Sequence, residues 1–343
     1  MGLDKQHRST RTLSTGKNNL ITDVPGVKVG HVTLSDGGIQ TGVTAILPHD
    51  GNMFTDKYLA ASTVINGFGK SVGLIQVDEM GTIETPIILT NTLSVGTAST
   101  ALVKHMLDQN EDIGVKTGTV NPIVLECNDM QLNDIRGMHV RETHIAQAIK
   151  DADIVFSEGA VGAGRGMMCH ELKGGIGSAS RLVKINEVEY TVGVLVMSNH
   201  GSFEDLMIDD KKLSNDFELP NDKTEEKGSI IVVIATDVPL SERQLKRVSN
   251  RAVVGLSRTG AYIGNGSGEL ALAFSTATKM PHQSPKEPLS MNFLHDDDIN
   301  PLFKATAEAV HESVVSSMTH AESVSGIRNK TAVSLNDLTK KTL

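Results

Sequence analysis

Apolar positions in this chain fall mostly into short runs rather than long helical stripes. The runs Val24 to Val32 and Gly42 to Leu47 read as strands, the second ended by the turn Pro48-His49-Asp50-Gly51. Pro86 to Leu89 and Ile123 to Leu125 read as short buried strands. Val95 to Leu107 and Glu142 to Lys150 have helical spacing. Residues 159–180 carry seven glycines and read as a long structured loop. Thr191 to Met197 is a strand ending at Ser198-Asn199-His200-Gly201, and Phe203 to Lys227 reads as a polar surface excursion.

The last third has the clearest pattern. Gly228 to Asp237 is continuously apolar, as in a strand buried on both faces. Ser241 opens a helix with Gln244 completing a capping box, and Gly260 stops it. After Gly264-Asn265-Gly266-Ser267-Gly268, Leu270, Leu272 and Phe274 alternate with Ala271, Ala273 and Ser275, the period of a strand. Asn300 is a cap and Pro301 the first turn of a long helix, with Phe303, Ala307, Val310, Val314 and Met318 on one stripe. Strands and helices mix without regular alternation, no internal repeat or linker is visible, and one α/β (α+β) domain of sheets covered by helices is the simplest architecture. Residues 1–18 read as a disordered extension ahead of a single domain, 19–343.

Composition narrows the function. With aromatics at 3% and 32 glycines, the core must be built from aliphatic side chains with close backbone approaches. A net charge of −9 and no basic patch exclude nucleic acid as the main partner. The longest apolar run, Ile230 to Ala235, is too short to span a membrane, and the N-terminus has no apolar signal segment. Two cysteines, Cys127 and Cys169, outside any Cys-x-x-Cys pair fit a reducing compartment, so a cytoplasmic location is expected.

Ser267 lies between glycines at the head of a buried-looking strand. Locally, this is either an ordinary Gly-rich turn or an N-terminal nucleophile released by cutting Gly266–Ser267. The second reading has a chemical basis. The freed α-amine, with a reference pKa of about 7.7–8.0, could take the hydroxyl proton near neutral pH. The flanking glycines could hold the bond strained. Nucleotide motifs fail, because no Gly-x-x-x-x-Gly-Lys-[Ser/Thr] occurs and the Gly266/Gly268/Ala271 match enters a strand instead of a helix. Asn199 is either a turn residue or an amide donor to an oxyanion. Lys173 is either a solvated charge or a cation held near the nucleophile. Cys169-His170-Glu171 and His295-Asp296-Asp297-Asp298 lack metal-ligand spacing, so no metal and no other cofactor is expected.

Several ordered segments together resemble the L-aminopeptidase/D-esterase (DmpA-type) family, with its β-peptidyl aminopeptidases and more distant nylon-oligomer hydrolases. They are Asn19 to Gly30, Gly42 to His49, Leu132 to Ile135, Lys173 to Arg181, Asn199-His-Gly201, Gly228 to Asp237, Asn265 to Gly268 and Ala273 to Thr276. The resemblance implies an αββα sandwich similar to N-terminal-nucleophile hydrolases. It implies a precursor that cuts itself into 1–266 and 267–343, and a homo-oligomer of cleaved protomers, often four. It implies release of N-terminal amino acids from small peptides, amides or esters. Ser267 would be the nucleophile, Asn199 the oxyanion-side residue, Lys173 a catalytic lysine, and Glu126 the partner of the substrate's amino group. The sequence departs from the family at three places. Glu269 replaces the usual Asp, Asn128 an aromatic, and His311 the first of two acids in the final helix. Asn128 and His311 are therefore expected to shape the substrate site, and a catalytically impaired relative or a hydrolase of a non-peptide amide or lactam is the alternative.

Overall fold

The central strands are apolar on both faces, and the fold covers both. The computed structural model describes residues 11–219 and 228–340. The first half contains β1 (Lys28–Asp36), β2 (Ile39–Leu47), β3 (Asp56–Gly67), α1 (Leu74–Met80), β4 (Thr82–Ile83), β5 (Ile87–Asn91), α2 (Val95–Gln109), β6 (Ile123–Cys127) and α3 (Glu142–Lys150). A tight hairpin of β7 (Met168–Cys169) and β8 (Leu172–Lys173) leads into β9 (Gly175–Ile185) and β10 (Val188–Asn199). A second short hairpin, β11 (Met207–Ile208) and β12 (Lys211–Lys212), precedes β13 (Ser229–Thr236), α4 (Glu242–Ser249), α5 (Ala252–Ser257), β14 (Gly268–Pro281) and α6 (Asn300–Thr319).

Two sheets stack. One has the order β1-β2-β5-β6, the other β4-β3-β14-β13-β10-β9. Between them, Ile46, Leu89, Ile123 and Leu125 meet Leu195, Met197, Ile231, Val233, Leu270, Leu272 and Phe274. Period two then sends Ile230, Val232, Ile234, Ala271 and Ala273 to the opposite face, against Leu245, Val248, Val310, Val314 and Met318 of the helices. The four-stranded sheet is covered in the same way, with Val43, Ala45, Ile88 and Val124 under Ala98, Leu102, Ile145 and Ala148. Each aliphatic side chain so buried contributes roughly 1.5–3 kcal/mol. The result is the expected four-layer αββα sandwich. Small residues let α6 come close, because a Cβ at Gly177 would lie 1.9 Å from the Ser313 carbonyl oxygen.

Several elements differ from the sequence reading. β3 was not legible: its central Leu59-Ala60-Ala61-Ser62-Thr63 is buried, but alanine and serine carry little strand preference. Residues 159–180 are only partly loop, since β7, β8 and the start of β9 lie within them. The helix expected from Ser241 to Gly260 breaks at Asn250-Arg251 into α4 and α5, although its capping box forms as expected. Ile299, one residue before Asn300, occupies the cap of α6. The excursion after Phe203 is not wholly superficial, because Phe203, Leu206 and Ile208 are buried in the core.

Of the segment expected to be disordered, residues 1–10 lie outside the described residues, while Arg11 to Asn18 run along β9 and α6. The N–H groups of Thr12 and Leu13 donate to Glu308 at 3.1 and 3.2 Å, and Leu182 N–H donates to the Ser14 carbonyl at 2.8 Å. The buried Arg181 guanidinium binds Glu308 at 3.2 Å and also Glu312. Two carboxylates around one buried guanidinium give the strap a reason to dock.

Candidate active site

Sheet register brings distant residues to one edge of the sandwich. β10, β13, β14 and β3 pair so that Asn199, Ser229, Gly268 and Gly67 lie on one rung. Two strand spacings, roughly 10 Å, separate the backbones at Asn199 and Gly268. Ser267 therefore sits just outside β14, at the end of the parallel pair β13/β14, and is fully buried. The Ser267 N–H donates to the Gly264 carbonyl at 3.0 Å. Asn66 Nδ2 donates to the Gly264 carbonyl at 3.1 Å and to the Ser267 carbonyl, clamping the turn.

Ser267 Oγ donates to Glu269 Oε1, and both residues are buried. Residues i and i+2 of a strand share a face, which is the signal by which the sequence could have shown this pair. The sequence suggests strain at the glycines, but among the residues leading into Ser267 the positive φ falls on Ile263, at +62°. A β-branched residue there is held against its preference, at a cost of order 1–3 kcal/mol.

Asn199 ends β10 with its amide fixed at both atoms. Oδ1 accepts from Met168 N–H at 2.8 Å, and Nδ2 donates to the Asn128 carbonyl at 3.0 Å. Nδ2 carries two hydrogens, so one remains for a reacting oxygen. Asn128 itself is exposed, and its side chain accepts from Met130 N–H at 3.0 Å.

Lys173 is wholly buried in β8. Its ammonium donates to the carbonyls of Gly164 (3.0 Å), Met167 (2.6 Å) and Gly174 (2.6 Å). Burial, helped by the Arg165 charge, pushes its pKa well below the ordinary lysine value. The three carbonyls act the other way, since a neutral amine has only two N–H groups for three acceptors. The Met167–Met168 peptide thus receives Lys173 at its carbonyl and holds Asn199 with its N–H.

Glu126, buried at the end of β6, accepts from Lys70 N–H at 2.7 Å and from the Thr92 hydroxyl. The segment Phe68-Gly69-Lys70-Ser71 leaves β3 beside Gly268 and reaches Glu126 three residues later, a span of at most about 10 Å. Sequence reasoning missed Asn66 and this loop, which carry no recognisable motif.

His311 lies on the helix that covers the outer face of this sheet. It is buried in α6 next to Glu312, which pairs with Arg181. The final helix crosses the outer face of the sheet, and six residues after His311 its Ser317 hydroxyl meets that of Ser198, the neighbour of Asn199.

Asp129, beside this edge, is buried, and burial raises its pKa to about 7 against hydrogen bonds from Thr41 and Asn133. An acid whose folded pKa is raised favours the folded state below its unfolded value, near 4, and loses that contribution as pH rises through 7. Asp129→Asn keeps an acceptor for Asn133 and removes the charge. Urea unfolding at pH 5 and pH 8 should show the Asn variant gaining about 2–3 kcal/mol on the wild type between the two. An unchanged difference would mean that Asp129 is charged throughout.

The description of peptidase family S58 matches residues 19–332. The chain belongs to this family. It is 36% identical over 338 residues to a β-peptidyl aminopeptidase of Sphingosinicella xenopeptidilytica, covering 92% of this chain and 84% of that one. The PH0078 protein of Pyrococcus horikoshii OT3 superposes with a TM-score of 0.92 at 52% identity, covering 97% and 96% of the two chains. An L-aminopeptidase D-Ala-esterase/amidase of Ochrobactrum anthropi, described as a variant of the N-terminal-nucleophile hydrolase fold, superposes at 0.87 with 34% identity over 95% and 93%. This S58 member is a hydrolase of amide bonds with an N-terminal-nucleophile fold. No helix among its described residues is long and apolar enough to cross a membrane.

Proposed function

We propose that this S58 peptidase cuts its own Gly266–Ser267 bond and then uses Ser267 as the nucleophile of an aminopeptidase acting on small peptides, amides or esters. The observation that carries this reading is the hydrogen bond from Ser267 Oγ to the buried Glu269 carboxylate.

In the uncut chain the nitrogen of Ser267 is an amide and cannot act as a base. Glu269 takes the Oγ proton, and Oγ attacks the Gly266 carbonyl carbon. The C–N bond breaks, the departing nitrogen receives the proton from Glu269, and an ester joins Gly266 to Oγ. Water hydrolyses that ester, leaving a carboxylate on Gly266 and a free amine on Ser267. From then on the α-amine, with a reference pKa near 8, is the base for substrate attack. The second N–H of the Asn199 amide stabilises the oxyanion, and Lys173 acts as a positioning residue through the Met167–Met168 peptide. Glu126 offers its carboxylate to the substrate's ammonium group, and Asn128, on the rim, meets the side chain next to it. His311, buried in α6, shapes the substrate site from the helix side, and the enzyme works as a cytoplasmic homo-oligomer, a tetramer of cleaved chains.

Intact-mass measurement tests the reading. The purified chain should resolve into 1–266 and 267–343 and should hydrolyse aminoacyl anilides bearing a free amine. A whole chain that hydrolyses them equally well would remove the mechanism, and a whole, inert chain would favour a catalytically impaired relative.

A further inference from the structure

We propose that Cys169, His170 and His200 form a binding site for a divalent ion of the zinc class, set behind the Ser267 edge. The sequence spacing gave no reason to expect a metal, because Cys169-His170 has no second ligand pair nearby. The fold supplies the missing partner from the turn after β10.

All three side chains are buried, and one ligand atom from each lies within 4.8 Å of the other two. Cys169 Sγ is 4.0 Å from His200 Nδ1. Tetrahedral zinc, with bonds of about 2.0–2.3 Å, sets such atoms roughly 3.5 Å apart, so a small closure completes the geometry. One thiolate and two imidazoles form a donor set of the softness that suits zinc or cobalt, with a fourth position left for another ligand.

Two further features point to a ligand. His170 Nδ1 lies 2.9 Å from the Ser202 carbonyl and must donate to it. That fixes the tautomer and leaves a lone pair on Nε2, the arrangement by which metal-bound histidines are usually oriented. Thr259 Oγ1, 3.4 Å from Nε2, is the nearby oxygen. His200 Nδ1 is the ring nitrogen on the Cys169 side, so Nε2, buried without a hydrogen-bond partner among the described residues, carries the proton when Nδ1 binds the ion. Finally, His170 (φ +48°) and Glu171 (φ +62°) form the two-residue turn between β7 and β8. Asn-Gly adopts that turn readily, whereas His-Glu does so under strain, with the imidazole directed inward.

The ion would join two segments that frame the proposed catalytic edge, the hairpin carrying Lys173 and the turn following Asn199, with Thr259, eight residues before Ser267, beside His170. The His170 N–H already donates to the His200 carbonyl at 2.6 Å. Burial makes the ion an anchor for this scaffold, away from substrate, so the site stands whether or not Ser267 is the nucleophile.

The test uses the full-length protein dialysed against a chelator and then titrated with Co(II). One equivalent per chain should bind, with the intense visible bands of a tetrahedral site and a thiolate-to-cobalt charge-transfer band that Zn(II) bleaches. Cys169→Ser should lose the charge-transfer band, Cys127→Ser should keep it, and His200→Gln should weaken binding at least tenfold. If Cys169→Ser fails to fold, the wild-type titration still decides. No uptake, or uptake without a charge-transfer band, overturns the proposal, as does a band that survives in a folded Cys169→Ser protein.

Discussion

Ser267→Ala is expected to remain a single chain of 343 residues and to lose about 10⁶-fold in amide hydrolysis, the scale of removing a hydrolase nucleophile. The two losses have one cause. In the proposed mechanism Oγ attacks Gly266 during cleavage and substrate afterwards. The variant should still fold. It deletes one buried hydroxyl and leaves Glu269 without that donor, a cost of about 1–3 kcal/mol. The turn remains clamped by Asn66, which binds main-chain carbonyls. Circular dichroism and intact mass, run beside an anilide assay, separate loss of chemistry from loss of fold. An Ala variant that still divides at 266/267 would place the nucleophile elsewhere.

Glu269→Gln should slow self-cleavage by about 10²–10⁴-fold, the usual contribution of a positioned base. Glutamine preserves the length and can still accept the Ser267 hydroxyl, but it cannot hold the proton. The effect should be unequal. Once cleavage is complete, the α-amine of Ser267 takes over as base, so turnover per cleaved chain should fall far less than the cleavage rate. Time-resolved mass spectrometry gives the cleavage rate, and activity normalised to the 267–343 fragment gives turnover. Glu269→Asp, with a carboxylate one methylene shorter, should cleave faster than the Gln variant and more slowly than the wild type. Wild-type cleavage speed in Glu269→Gln would remove this residue from the mechanism.

Much of the architecture was legible along the chain. Strands buried on both faces, such as Ser229–Thr236, announce themselves by unbroken aliphatic runs. The capping box at Ser241 and the proline opening α6 depend on residues within one helical turn, so local pattern was enough. β3 escaped because burial, and not side-chain preference, makes Leu59 to Thr63 a strand. The glycine-rich stretch hid the β7–β8 hairpin because His-Glu is an unusual pair for a two-residue turn. Lys173 could be read as solvated or as catalytic. Its three bonds to carbonyls from 164 to 174 depend on how that loop closes, which composition does not encode.

The sequence by itself determined the family, the sandwich of apolar strands and helices, and Ser267 as the residue to examine. It could do so because periodicity and short motifs record which face a residue occupies and what its nearest neighbours along the chain are. Tertiary structure decided which of those faces meet. The parallel pairing of β13 with β14 and the antiparallel pairing with β10 put Asn199 on the rung of Gly268. The fold also brought His200 to Cys169 and His170, and attached Glu126 to the loop leaving β3. Strand register and loop closure set these distances, and both arise from packing across the whole molecule, so no stretch of sequence contains them.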